Sequence, residues 1–356
     1  MRLLFPFRSQ PTALFATLRL RTSPELRAVR AHGHVAADAA FEGVFHMTTC
    51  GYVCFRAVIF VRTQSVTDLR GPSSCRPHDC VSFDLEYASA EGFSAPSAVD
   101  QPPALQLAFE YTTLVPSAPG AEGDAGSFVR QRRRRVVTQP ARVARSRRHG
   151  FESCDAEAAV ALLTHKALRA VATEGLSEAR AMVSDWLGAL VARASEAYPS
   201  GPGATPDATL GGACPPLASL PRAAFGLLRG PLLRGGAHPD ARAHAAHLAA
   251  ALTPAALATL LYPRASPWQD PDTAIEDAEG LPLARTSLHE AAAPLVVLDA
   301  LTDVIVYAAP PPPGAPPRLP LPPRVRMRCF ALRCAGERAL IRAALLRTRR
   351  ARCSCS

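Results

Sequence analysis

Phe128–Val171 reads FVRQRRRRVVTQPARVARSRRHGFESCDAEAAVALLTHKALRAV, and the period of the chain changes within it. Before Gly150 apolar residues follow the two-residue repeat of a strand, and after it the 3.6-residue repeat of a helix. Phe128–Thr138 predicts a strand with the cluster Arg132, Arg133, Arg134 and Arg135 on its exposed or edge portion, since unpaired guanidinium groups are excluded from a core. Asp155–Glu174 predicts a helix. Val160, Leu163, Ala167 and Val171 form one stripe of it, and Asp155 and Glu157 put negative charge in the first turn, where the helix dipole favours it.

Towards the N-terminus the two-residue period recurs at Leu14, Ala16, Leu18 and Leu20, at Phe55, Ala57, Ile59 and Val61, and at Leu105, Leu107, Phe109 and Tyr111. Turn-rich stretches, Arg70–Pro77 and Ser94–Pro103, separate these runs, as in an antiparallel sandwich or barrel. Towards the C-terminus Ser177 caps an expected second helix, whose apolar face runs from Met182, Val183 and Trp186 to Ala194. After a Gly/Pro loop, helical character returns at Pro221–Leu233, at Asp240–Ala251 and at Thr253–Leu261, where Pro254 suits the first helical position. LVVLDALTDVIVY, Leu295–Tyr307, predicts two short strands joined through Asp299–Asp303.

The fold class expected is multidomain α+β: a β-sandwich (1–150), a helical domain (151–265), a partial third domain (266–309), a proline-rich linker (310–323) and an Arg-rich tail (324–356). The linker holds nine prolines in fourteen residues and suits an extended spacer, with a groove-binding ligand as the alternative. One helix, Glu337–Arg347, is expected in the tail, and the chain after Pro310 is expected to be poorly ordered.

The chain has 356 residues, a mass of 37.8 kDa and a formal charge of +10. Among its 40 basic residues Lys166 is the one lysine, so position says more than number. Arg130–Arg148 and Arg324–Ser356 each carry a formal +9, leaving −8 on the remainder. Such concentration favours an acidic surface: anionic lipid, acidic protein or phosphate backbone. Sequence-specific nucleic-acid binding is not expected, because aromatics are 6% of the chain and few interleave with the arginines. No apolar run reaches the roughly 20 residues of a membrane-spanning helix. The basic first twenty-four residues have a transit-peptide composition but overlap a strand pattern.

Cys50, Cys54, Cys75 and Cys80 carry the residue type of a four-thiolate zinc site, but three and four residues intervene within the pairs instead of two, so reduced thiols are the expectation. His238, His244 and His247 with Asp240 have metal-ligating types without a base in a zinc-protease pattern, and a solvated helix face is expected. No nucleophile elbow, phosphate loop or paired-carboxylate motif is present, so no enzymatic active site and no cofactor are expected.

The order of these segments resembles the GTPase-activating subunit of the inner COPII vesicle coat. The resemblance rests on FATLRLRTSPEL (Phe15–Leu26), RRRRVVT (Arg132–Thr138), DAEAAVALLTHKALRAV (Asp155–Val171), ASEAY ending at Tyr198, LTPAALATLLYPR and LVVLDALTDVIVY, in order over roughly residues 12–310. It implies a sandwich, a helical domain and a shortened gelsolin-like domain, without the family's preceding zinc ribbon and trunk. It further implies partnership with a Sar-family GTPase, the cargo-adaptor sister subunit, the outer coat and the anionic endoplasmic-reticulum membrane, with a peripheral cytoplasmic location. Arg342, in ERALIRAALLR, aligns with the family's arginine finger. Arg132, Arg133, Arg134, Arg135, Arg145, Arg147 and Arg148 are the expected contacts to membrane or partner. The cargo-adaptor sister subunit and an Arg-rich nucleic-acid-binding protein are the alternatives.

Overall fold

The computed structural model describes residues 13–47, 74–75, 79–90, 102–116, 128–141, 143–198, 214–268, 281, 283, 295–308 and 324–328. Cys50, Cys54, Arg342, the proline tract and the helix expected at Glu337–Arg347 lie outside them. The chain divides into two compact units, Met1–Pro254 and Ala255–Ser356.

In the first unit, β1 (Ala13–Thr22), β3 (Val35–Ala37), β4 (Val44–Met47), β7 (Ala104–Pro116) and β8 (Phe128–Pro140) form an antiparallel sheet. Its order is β3-β4-β1-β7-β8, with the short β5 (Ser74–Cys75) pairing to the start of β1. A second sheet pairs β2 (Leu26–Gly33) with β6 (Val81–Tyr87). Alternation along β1 turns Ala16 and Leu18 inward, where they form a core with Phe45 and Met47. Ala31, Val81 and Phe83 of the second sheet pack on that core from the opposite side, together with Leu107, Phe109 and Tyr111 of β7, and the Phe45 and Phe83 rings meet at 5.4 Å. This is the expected antiparallel sandwich. Gly43 closes the approach to β4 at φ +70, and a Cβ there would stand 2.6 Å from the Leu20 carbonyl oxygen, so the turn requires glycine.

The helices follow: α1 (Arg147–Glu152), α2 (Ala156–Thr173) and α3 (Leu176–Ala197), then a 3-10 turn at Pro215–Leu217, α4 (Leu220–Arg229) and α5 (Pro239–Ala251). Asp155 caps α2, accepting hydrogen bonds from the Glu157 and Ala158 amides at 2.9 and 3.1 Å. The expected stripe is present: Val160, Leu163 and Ala167 are buried and Val171 half-buried. Two expectations shift. α3 begins at Leu176 behind Gly175, whose φ of +105 ends the previous helix, so Ser177 lies inside it. α4 stops at Arg229, because Gly230 takes an extended conformation and Pro231 follows.

In the second unit, α6 (Pro254–Leu261) precedes an antiparallel sheet of order β12-β11-β10-β9, made from β9 (Arg264–Trp268), β10 (Leu295–Asp299), β11 (Asp303–Ala308) and β12 (Arg324–Arg328). The expected hairpin forms through Asp299–Asp303. Leu301 adopts φ +64, and the Asp299 side chain accepts from its amide at 2.8 Å. The expectation of poor order after Pro310 is corrected at β12 alone, where Arg324–Arg328 pairs residue by residue with Asp303–Tyr307; the other residues after Pro310 lie outside the described ones. Ladder hydrogen bonds join backbone groups and require no apolar side-chain pattern, which is why arginine-rich RVRMR gave no sign of it.

Candidate functional site

β8 stands at the end of the larger sheet, and all thirteen of its residues are exposed. A strand covered on one face would expose alternate residues; β8 is open on both, and among the described residues the two-stranded sheet opposite is narrower than the sheet it faces. Register fixes which side each arginine takes. Arg133 and Arg135 lie opposite Tyr111 and Phe109, on the sandwich's inner side, whereas Arg132 and Arg134 lie opposite Thr112 and Glu110 on the outer side. The Phe109 and Tyr111 rings stack at 5.0 Å beside the inner pair.

Glu110 binds both outer arginines, at 2.7 Å to Arg132 and 2.6 Å to Arg134. The hydrogen bond from Arg132, aided by Arg134, holds its carboxyl below the usual carboxylate range. Arg133 donates to the Gln131 side chain at 2.8 and 3.0 Å. Among the described residues neither Arg133 nor Arg135 has a carboxylate partner. The structure thus brings the Arg132–Arg135 cluster to one sheet edge and neutralises part of its outer side.

Arg145, Arg147 and Arg148 belong to a different place, the entry to α1. Ser146 caps that helix by accepting from the His149 amide at 3.1 Å. Arg147 pairs with Glu196 at 2.5 Å, while Arg148 pairs with Glu152 at 2.9 Å and lies 5.1 Å over the Tyr198 ring. Arg145 is exposed, and no carboxylate pairs with it among the described residues. These contacts tie the start of α1 to the end of α3, a structural role that the charge count did not reveal.

The remaining sequence candidates separate. Cys75 and Cys80 are half-buried, and burial pushes both thiols up, Cys75 to about 11. His238 caps α5, its Nδ1 accepting from the Asp240 amide at 3.3 Å, and the His247 ring meets that of His34 in a tilted contact with centroids 5.5 Å apart. No group of three His, Cys, Asp or Glu residues placed to hold a metal occurs among the described residues.

A second polar constellation escaped the sequence reading. Asp84 of β6 accepts from His32 of β2 at 2.9 Å and from Lys166 of α2 at 2.9 Å. Burial raises its carboxyl, but the hydrogen bonds from His32 and Lys166 outweigh this and leave it below its ordinary value. Beside it Ser82 bonds the Nδ1 of His165 at 2.7 Å. Burial pushes His165 down to about 4, with His32 and His34 adding to the effect and the Ala249 carbonyl opposing it. A neutral imidazole with its serine on Nδ1 and, among the described residues, no carboxylate behind it lacks the arrangement of a nucleophilic triad. The constellation joins the sandwich to the helices.

Known proteins share this architecture. Residues 155–259 match the profile of the Sec23/Sec24 helical domain. The chain is 31% identical over 336 residues to "Protein transport protein SEC23 D" of Arabidopsis thaliana, covering 90% of this chain and 41% of that protein. It belongs to the Sec23/Sec24 family. The fold agrees with that of the human COPII-coat protein Sec24c, at a TM-score of 0.53 and 15% identity over 84% of this chain and 33% of the other. The family expected from the order of motifs is therefore the one found, and this Sec23/Sec24 chain spans less than half the length of the curated relative it matches.

Proposed function

We propose that this Sec23/Sec24 chain is a COPII coat component of the GTPase-activating kind, serving transport from the endoplasmic reticulum to the Golgi. The observation that carries this reading is the 31% identity over 90% of the chain with a protein named SEC23 D, against 15% with Sec24c. In this reading the chain has no active site of its own and works through surfaces. A Sar-family GTPase, the cargo-adaptor subunit and the outer coat are its partners, and a gelsolin-like domain follows the helices.

The net charge of +10 and the exposed Arg145 favour a peripheral position on anionic membrane, each basic residue near the surface contributing ~1 kcal/mol. Arg342 is the proposed arginine finger. A guanidinium placed beside the transferring phosphoryl group stabilises charge that develops in the transition state. GTP hydrolysis by a Sar-family GTPase on anionic liposomes tests both parts, with and without this chain and its Arg342→Ala variant. Stimulation that disappears in the variant supports the activator and the finger together. No stimulation by the unaltered chain refutes the activator reading and favours the cargo-adaptor role, for which the shared fold with Sec24c speaks.

A further inference from the structure

We infer that the edge of β8 to which no strand pairs among the described residues is a docking site for an extended acidic segment of a partner protein, bound by strand addition. This inference stands independently of the coat assignment, since it rests on the strand alone. The direction of each backbone group follows from one hydrogen bond. The Ala141 amide donates to the Pro103 carbonyl at 2.6 Å, where Ala104 faces Pro140. In an antiparallel ladder this makes Ala104 and Pro140 a non-hydrogen-bonded pair, and the register continues unbroken to Pro116 and Phe128. Odd-numbered residues of β8 therefore bond to β7. The N–H and C=O groups of Arg130, Arg132, Arg134, Val136 and Thr138 point away from the sheet.

Those outward groups, on a strand exposed along its whole length, form a template for another strand. Side chains decide which strand fits. A second copy of β8 is disfavoured, because antiparallel self-pairing sets arginine against arginine. An acidic segment is favoured, and the arrangement specifies its pattern. Arginines occupy both sides of β8, Arg133 and Arg135 inward and Arg132 and Arg134 outward. Alternating acids would meet only one side, whereas consecutive acids meet both. The inner side is the stronger determinant, because Glu110 already engages the outer pair. Exposed Val129, Val136 and Val137 offer apolar contact to residues flanking such a run. A flat lipid surface would engage one side of β8 and leave its outward backbone groups unpaired, so the observations favour a peptide.

The test uses the full chain and a fluorescein-labelled peptide with a run of consecutive glutamates between valines, followed by fluorescence anisotropy. Val136→Pro removes one outward N–H while leaving the β7 ladder intact, and Arg133→Gln with Arg135→Gln removes the inner charges. Each change is expected to weaken binding at least tenfold, with far-UV circular dichroism unchanged. A second arm keeps the protein unaltered: alternate N-methylation of the peptide abolishes binding in one phase and spares it in the other. This arm decides should the proline variant fail to fold. Equal binding of both N-methylated peptides would overturn strand addition in favour of undirected charge attraction. Failure of the peptide to bind, with phosphatidylserine vesicles binding through Arg133 and Arg135, would overturn it in favour of a membrane.

Discussion

Lowering the pH from 6.5 to 4 is expected to destabilise the first unit through one residue, His165. Its imidazole is buried against the sandwich, next to His32 and His34, with Lys166 and Asp84 close by and α5 on its other side. The folded value is about 4 against an ordinary 6.5. The folded state therefore refuses a proton that the unfolded state accepts, and stability falls as pH drops through this interval. Above 6.5 both states are neutral and nothing is lost; below about 4 both are protonated and the loss is complete. Each pH unit corresponds to about 1.4 kcal/mol, so the full interval is worth about 3 kcal/mol. The lowered carboxyls of Asp38, Asp84 and Glu110 act in the same direction, but their contributions are lost as pH falls through folded values below the ordinary 3.8 to 4.5, beneath most of the histidine window. Denaturant unfolding followed by Trp186 fluorescence, with Trp268→Phe to remove the second signal, reads the effect. In His165→Gln, which retains an acceptor for Ser82, the slope between 6.5 and 4 should flatten. The same fall in the variant as in the native chain would refute the reasoning.

Two further substitutions address the helices. Asp155→Ala removes the acceptor for the Glu157 and Ala158 amides and should cost about 1 kcal/mol in denaturant unfolding, whereas Asp155→Asn, which keeps the acceptor, should cost only a few tenths. Arg180 on α3 donates through one Nη to the Leu228 and Leu233 carbonyls at 2.9 and 2.7 Å, holding the turn after α4. Arg180→Met should cost about 2 to 3 kcal/mol, because both partly buried carbonyls lose a charged donor, and Arg180→Lys should recover part of that loss.

What was legible in the sequence was whatever repeats locally. The period change across Gly150 gave the sandwich-to-helix order, and LVVLDALTDVIVY gave the β10–β11 hairpin because apolar runs flank a turn rich in aspartate. β2 was not legible: a bulge between Ala28 and Arg30 breaks the alternation by which a strand is recognised. The His32–Asp84–Lys166 contact was hidden for a different reason. Its members come from two strands and a helix, separated in sequence by most of the first unit, and no local pattern links them. The arginine-rich edge was foreseen as exposed, but the compensating Glu110 was not, since it sits in an otherwise apolar and polar-neutral run on the neighbouring strand.

This last point changes what the arginine count means. Arg130–Arg148 carries a formal +9, yet Glu110, Glu152 and Glu196 lie against four of its guanidinium groups. At distances beyond a Debye length, about 8 Å at physiological salt, a partner senses only the reduced sum, and that attraction is screened. At contact it senses individual groups. A paired guanidinium must exchange one carboxylate for another with little net gain, whereas Arg130, Arg133, Arg135 and Arg145 have no such bond to give up among the described residues. Recognition should therefore depend on these four far more than on their four paired neighbours. Even-handed loss of binding on neutralising any arginine of the segment would point to the field of the whole segment instead.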